Sequence, residues 1–421
     1  MTIDNGKSGL NAPARISGGE QKLLRAGFIP LMDASVLVAA AEFGFAAREG
    51  LTLDLVRDVS WANVRDRLAF RQFDIAHMLS PMPVASMLGL GSNPSPTIAP
   101  FSLGRGGNAI TLSSRLFERM QAIADLSDTA SALDNARALA SVLAEMRAAG
   151  ETPPTFGMTY PFSSHNYEFR YWLAAGGIDP DADVKMVVVP PPLTSDALAA
   201  GAIDGFCVGA PWNMVASERG LGRIVAAKQD IWPSAPEKVV GMRPEWAAAN
   251  ADTVSRLVVA LDAAARWCDD RANHARLAET LSAERYIAAP VDILRQVLAG
   301  EFSLDAKGTK RVLENYFVFH RGEANLPAPR QALWIYSQMI RWGQTGFSAD
   351  KASAAASAFR PDLYRAALGQ PAREETLSPV GVRPGDTFMD GQVFDPLNIP
   401  GYVEGFPVRM QASLGDRSQD A

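Results

Sequence analysis

The chain has 421 residues, of which 48% are hydrophobic and 20% are charged, and its formal net charge is −6. This length exceeds what one compact core usually serves, so we expect two lobes, or a domain with a large extension. The acidic balance offers no positive field and argues against direct binding of nucleic acid.

The N-terminal stretch "MTIDNGKSGLNAPARISGGEQKLLR" is polar. It lacks the apolar centre of a secretory signal and an anchor cysteine, and no segment elsewhere offers the roughly 18 uninterrupted apolar residues that a membrane span needs. We therefore expect a cytoplasmic protein without membrane insertion.

Strand and helix patterns alternate after this stretch. "LLRAGFIPLMDA" predicts a strand that ends in a turn at Pro30 and Asp33, and "SVLVAAAEFGFAAREG" predicts a helix. "LTLDLVRDV", "WANVRDRLAF" and "DIAHML" predict strand, helix and strand. This order is typical of an α/β lobe.

Helix and strand patterns also occur in the second half of the chain. The segment that follows residue 112 is helical by its period, and "ETPPTFGMTYPF" restarts a strand after a Pro-Pro break. From about residue 248 to 343 the pattern is again helical, whereas the C-terminal stretch is rich in Gly, Pro and Asp and predicts an irregular wrap.

Two segments match without a gap, Leu68–Pro81 and Leu198–Pro211. Either the two lobes arose by duplication, or two helix-to-strand units align by chance. In both cases each segment ends in a proline-bearing turn at the carboxyl edge of a strand, where open α/β sheets bind ligands.

The stretch "SSHNYEFRYWLAA" predicts a helix capped by Ser163 or Ser164, with His165 in its first turn. Free N–H groups and the positive end of the helix dipole favour an anion there, and His165 adds a donor. The alternative is a polar first-turn residue near solvent. Glu168 in the same turn fits either role.

Three further residues are candidates for ligand binding. Trp61 begins a helix after Ser60 and can offer its indole N–H, although a core position is the alternative. Lys238 precedes an apolar strand and can point into a cleft, although most lysines are on the surface. Asn108 follows a glycine-rich stretch that resembles a cradle, although taken alone it is a flexible connection.

Metal and catalytic patterns are missing from the sequence. Cys207 and Cys268 are far apart, which predicts neither a disulfide framework nor a metal cluster, and the four histidines are scattered. His77 falls in a predicted strand, where a structural histidine is favoured over a ligand. There is no nucleophile elbow and no Walker loop. We expect no enzyme activity, no cofactor and no metal.

Longer segments resemble the nitrate- and bicarbonate-binding family of two-lobed solute-binding proteins. They are "GFIPLMDASVLVAAAEFGFAAREGL", "SWANVRDRLAFRQFDIAHMLSPMP", "YPFSSHNYEFRYWLAAGGIDPD", "VVVPPPLTSDALAAGAIDGFCVGAPWN" and "ENYFVFHRGEANLPAPRQALWIYSQMIRWGQ". The resemblance runs from about Leu24 to Pro407, nearly the whole chain.

The resemblance implies a type II periplasmic-binding-protein-like α/β fold whose two lobes close on a small oxyanion, with a helical C-terminal extension. Trp61, His165 and Lys238 fall on ligand-contacting positions of the family, and we add Ser164 beside His165. Asn108 stands where transporter members usually have Gln, and Ala210 where they usually have Glu, which leaves the choice among nitrate, nitrite and bicarbonate open.

The predicted organisation has four parts. They are a polar tail at 1–23, lobe 1 with its helical extension at 24–112 and 222–345, lobe 2 at 113–221, and an irregular wrap and tail at 346–421.

The polar N-terminus makes the chain similar to cytoplasmic nitrate and nitrite sensors of the NasS type. That resemblance implies a protein that binds nitrate or nitrite and controls an RNA-binding antiterminator of the NasT type. The alternative is the substrate-binding component of an ABC importer for nitrate or bicarbonate. An enzyme is a further alternative, because relatives of the same fold class handle thiamine precursors.

Overall fold

The structure is a computed structural model that describes residues 21–93, 95–127 and 129–410. Most of the tail predicted at 1–23, and the end of the wrap predicted at 346–421, lie outside the described residues.

The strands, in chain order, are β1 (Lys22–Phe28), β2 (Leu51–Arg57), β3 (Ile75–Leu79), β4 (Ile98–Ser102), β5 (Arg105–Gly106), β6 (Asn108–Ser113), β7 (Thr155–Met158), β8 (Lys185–Val188), β9 (Gly205–Gly209), β10 (Gly222–Ala227), β11 (Lys238–Met242), β12 (Glu301–Ser303), β13 (Lys310–Val312) and β14 (Phe317–Val318). The helices are α1 (Ser35–Glu42), α2 (Phe45–Arg48), α3 (Trp61–Ala69), α4 (Pro81–Met87), α5 (Ser114–Ala124), α6 (Ala132–Ala148), α7 (Ser164–Ala175), α8 (Thr194–Ala199), α9 (Trp212–Glu218), α10 (Lys228–Ile231), α11 (Pro244–Ala249), α12 (Ala251–Asp269), α13 (His274–Leu281), α14 (Val291–Ala299), α15 (Pro329–Arg341), α16 (Ala349–Ser357), α17 (Pro361–Ala367) and α18 (Ile399–Glu404).

Two five-stranded sheets form two α/β lobes, as the sequence predicts. The first sheet has the order β2-β1-β3-β11-β4 and the second has the order β10-β6-β9-β7-β8. In each sheet the middle strand, β3 or β9, pairs in parallel on one side and antiparallel on the other. The two sheets therefore have the same pattern of parallel and antiparallel pairs, and the pattern runs in opposite directions along the two strand orders given above.

The chain passes between the sheets at positions that differ from the predicted boundaries at 112 and 221. Strand β6 pairs antiparallel with β9 and β10 pairs antiparallel with β6, so both belong to the second sheet. The crossings are therefore the segments 103–107 and 228–237, which we call the crossovers. The sheet that a strand joins is decided by hydrogen bonds with strands that are distant in the sequence. The local sequence pattern therefore does not indicate which sheet β6 or β10 belongs to.

The first crossover packs closely against a distant segment. Its short strand β5 pairs with β14. Gly106 has φ +89°, and a Cβ at this position would overlap the carbonyl oxygen of Tyr316. A glycine is therefore required both by the left-handed backbone and by the close approach.

The two lobes are closed on each other. The Met32 N–H donates to the Ala210 carbonyl at 3.0 Å, and the Trp212 indole donates to the Pro30 carbonyl at 3.1 Å. At the rim, Arg65 donates to the Tyr160 hydroxyl at 2.6 Å. These contacts join groups of lobe 1 to groups of lobe 2, so they must break when the lobes separate.

The C-terminal region is more regular than predicted. The stretch expected as an irregular wrap contains α16, α17 and α18, because an alanine-rich run favours a helix and the Ser348 side chain caps α16 by accepting from the Lys351 N–H at 3.1 Å. Among the described residues, no helix combines the length and the apolar character needed to cross a membrane.

Candidate functional site

Polar side chains from both lobes meet in one buried place, which we call the interlobe cluster. Every member is at most 4% exposed. The members are Asp33, Trp61, His77, Asn108, Ser164, His165, Glu168, Lys228, Glu237 and Lys238. Because charged side chains are seldom fully buried, such a concentration marks a candidate functional site.

The first turn of α7 supplies two members of the cluster. The Ser163 side chain caps the helix by accepting from the Asn166 N–H at 3.0 Å, as the sequence predicts. The next two residues, Ser164 and His165, then project from the start of the helix. The Ser164 hydroxyl donates to Glu237 Oε1 at 2.9 Å, so the structure shows this hydroxyl already engaged by a carboxylate.

His165 is neutral, and one of its ring nitrogens has no hydrogen-bond partner in the part of the chain that the structure describes. Its Nδ1 lies 2.8 Å from the Thr159 hydroxyl. Its Nε2 is 3.9 Å from Glu237 Oε1 and has no hydrogen-bond partner within the described residues. Burial lowers the pKa of His165 to about 3, and the charge of Lys238 acts in the same direction. When Thr159 donates to Nδ1, the proton of the neutral ring is on Nε2.

Trp61 also contributes a buried N–H donor to the cluster. It opens α3 after Ser60, whose side chain accepts from the Asn63 N–H at 3.5 Å. The ring meets His77 edge-on, with 5.2 Å between centroids. Its Nε1 is buried and has no partner among the described residues. An indole N–H without an acceptor is costly in a protein interior, so its presence here indicates a place for one.

Lys238, at the start of β11, provides the positive charge. Its Nζ is 3.0 Å from Asp33 Oδ2, pairs with Glu237 Oε1, and lies 5.8 Å from the Trp61 ring centroid. Burial acts to lower the pKa of Lys238, but Asp33 and Glu237 outweigh it and raise this pKa. An ammonium has three N–H donors, and the two carboxylates account for two of them.

Asn108 is also a member of the cluster. Its amide nitrogen donates to Glu168 Oε2 at 2.9 Å and to Glu237 Oε2 at 2.5 Å. Both N–H donors therefore hold carboxylates of the protein. Asn108 shapes the site in this closed state, and its amide N–H groups are not available to an anion.

Several members were not predicted as site residues. Lys228 lies 2.9 Å from Glu168 and also pairs with Glu237, while His77 Nε2 lies 2.8 Å from Asp33. The one signal in the sequence is a polar residue next to an apolar run, as in "PLMDAS" and "APEKVV".

The carboxylates differ in charge. Burial acts to raise the pKa of Glu237 and of Asp33, but the lysines around them outweigh it and hold both values low. For Glu168 burial prevails over Lys228 and raises the pKa to about 7. The positive charges of Lys228 and Lys238 therefore balance the negative charges of Asp33 and Glu237. The net charge of the interlobe cluster then depends on whether Glu168 is protonated.

Comparison with known proteins gives consistent relatives. The model of the NMT1-like family matches residues 17–282. The nitrate import ATP-binding protein NrtC of Synechocystis sp. PCC 6803 is 34% identical over 93% of this chain, and the chain spans 56% of that relative. The nitrate/nitrite binding protein NrtA of Synechococcus elongatus is 32% identical over 96% of this chain and 91% of its own length.

A solved structure agrees with these relatives. The periplasmic nitrate-binding protein NrtA from Synechocystis PCC 6803 superposes with a TM-score of 0.82 at 27% identity, covering 92% of this chain and 99% of that one. The resemblance seen in the sequence is confirmed. The chain therefore belongs to the NMT1-like family and to the two-lobed solute-binding proteins that include NrtA.

Proposed function

We propose that the interlobe cluster binds nitrate or nitrite. The observation that carries the proposal is a pair of buried N–H donors, the Trp61 indole and His165 Nε2, that have no hydrogen-bond partner among the described residues. Lys238 lies 5.8 Å from the Trp61 ring centroid, and its charge also acts on His165. Together with the third N–H of Lys238 they give three donors, enough for the three oxygens of nitrate or the two oxygens of nitrite. Such an anion needs several donors and one fixed positive charge, and it needs no metal.

Removing either free donor is expected to weaken nitrate binding. Trp61→Phe deletes the indole N–H and keeps a ring, and His165→Ala deletes the imidazole. Each loses a hydrogen bond to a charged group, which corresponds to about ten- to hundredfold in affinity. The measurement is thermal unfolding with nitrate, nitrite, bicarbonate and chloride, because ligand at about 100 times its Kd adds roughly 2.7 kcal/mol to the native state.

Trp246→Phe, in α11 outside the cluster, is the matched control and should keep the full nitrate-dependent shift. A nitrate-dependent shift that survives in both cluster variants would contradict the assignment of the site. The same holds if the wild-type protein responds to bicarbonate alone.

We further propose that the protein is a cytoplasmic sensor that holds an RNA-binding antiterminator when empty and releases it when the anion closes the lobes. Support comes from the contacts that closure makes, such as Met32 with Ala210 and Arg65 with Tyr160. These contacts change the surface around the cleft, and the anion shifts the balance between the two states.

The importer component is the second candidate, because the similar proteins NrtC and NrtA are named for nitrate import and nitrate/nitrite binding. Co-purification with the antiterminator, with and without nitrate, separates the two roles. We expect nitrate to dissociate the complex and, by linkage, the antiterminator to weaken nitrate binding by the same factor. Recovery of the protein outside the cytoplasm, with no antiterminator bound, would support the importer role instead.

A further inference from the structure

A second polar cavity lies beside the crossovers, under the C-terminal wrap. Its volume is about 330 Å³, and five arginines line it. They are Arg105, Arg330, Arg365, Arg373 and Arg383. We call this space the wrap cavity. It shares no residue with the interlobe cluster.

Positive charge prevails in the wrap cavity. The carboxylates in its lining are Glu323, Glu375 and Asp386, so five arginines leave an excess of two positive charges. Arg365 pairs with Glu375 at 2.7 Å. In the described part of the chain, Arg330, Arg373 and Arg383 form no ion pair. This excess is unusual in a chain whose net charge is −6.

Two donors, Arg105 and the buried Trp232, also line this cavity. Burial lowers the pKa of Arg105, and the neighbouring charge of Arg330 contributes in the same direction. Arg105 donates to the Gly322 carbonyl. Trp232 is 1% exposed, lines the cavity, and its indole Nε1 has no partner among the residues described. The positive charge of Arg105 is not fully compensated by carboxylates, and the neighbouring Trp232 indole N–H has no acceptor among the described residues. Such an arrangement suits the binding of an anion.

The wrap cavity touches both crossovers. Arg105 lies in the first crossover and forms a backbone bridge with Pro236 of the second. Ser234, also in the second crossover, donates its N–H to Asp386 Oδ1 of the wrap at 3.1 Å. Its carbonyl accepts from Gln331 at 3.3 Å. A molecule bound here contacts the two segments that must bend when the lobes open.

We propose that the wrap cavity binds a small dianion, a dicarboxylate or a phosphate, as an effector that changes the affinity of the interlobe cluster for its anion. Guanidinium groups recognise paired anionic oxygens by bidentate hydrogen bonds, and two excess charges match a dianion better than a monoanion. Binding of the dianion stands alone, whereas the effector role rests on the proposed function.

Calorimetric titration of the full chain, without nitrate, tests the binding. The probes are succinate, inorganic phosphate and acetate. We expect succinate or phosphate to bind at least tenfold more tightly than acetate, and the stronger of the two identifies the source of the dianion. The double variant Arg330→Gln and Arg383→Gln should lose at least tenfold in affinity for that probe. Arg137→Gln, on α6 away from the cavity, should bind it like the wild type.

Three outcomes would overturn the dianion site. They are no heat with either dianion, acetate binding equal to theirs, and binding lost in His165→Ala but kept in the double variant. For the effector role, nitrate affinity measured with saturating dianion should change at least threefold, and an unchanged value refutes it. If nitrate fails to bind under any condition, the proposed function fails while the calorimetric result still decides the dianion site.

Discussion

Lys238→Met is expected to abolish anion binding and to lower the free energy of unfolding by about 3–5 kcal/mol, the usual cost of removing one partner from a buried ion pair. The side chain is 0% exposed and pairs with Asp33 and Glu237. Without it, Lys228 is the one remaining lysine of the cluster facing three carboxyl groups. Urea unfolding followed by tryptophan fluorescence measures the loss of stability.

Two further variants show how the result for Lys238→Met is to be interpreted. Lys185→Met, on the exposed strand β8, is the matched control and should change the free energy of unfolding by less than about 0.5 kcal/mol. Adding Asp33→Asn to Lys238→Met removes both charges of one pair, so it should restore part of the stability and none of the anion binding. Wild-type stability and nitrate affinity in the single variant would show that Lys238 does not organise the site.

Nitrate affinity is expected to fall as the pH rises through about 7, by up to about tenfold per pH unit, because one proton is then linked to each anion bound. Burial raises the pKa of Glu168 to about 7. Below that pH the carboxyl is protonated and the charges of the two lysines, Asp33 and Glu237 cancel. Above it, Glu168 adds a negative charge that opposes the anion.

The other titratable groups that face Glu168 do not cause the expected fall in nitrate affinity. The lowered pKa of Glu237 keeps it charged over this range, and burial raises the pKa of the Cys207 thiol well above it. His165, with a pKa of about 3, stays neutral. Glu168→Gln keeps an oxygen that can accept from Asn108 and has no proton to lose. Its nitrate affinity, titrated between pH 6 and 8.5, should be nearly constant. A slope equal to the wild-type slope would exclude Glu168 as the linked group.

The sequence by itself determined the local elements and the strongest candidates. Periodicity and capping residues located α3 and α7, since a Ser before an amphipathic run satisfies the free N–H groups of a first turn. Trp61 directly follows its cap Ser60, His165 is the second residue after its cap Ser163, and the structure places both in the interlobe cluster. The match between Leu68–Pro81 and Leu198–Pro211 also located β3 and β9, which hold the same middle position in the two sheets.

Only the tertiary structure decided how these pieces meet. Asp33 and Glu168 are far apart in the sequence from each other and from Glu237, and the fold brings both onto the two lysines that Glu237 also contacts. Asn108 illustrates the consequence, because its identity predicts a donor for a ligand, whereas its neighbours Glu168 and Glu237 occupy both N–H groups. Local pattern reports burial and helix ends, which depend on neighbours in sequence. Charge balance, proton affinity and free donors depend on neighbours in space, and those are fixed only when the lobes close.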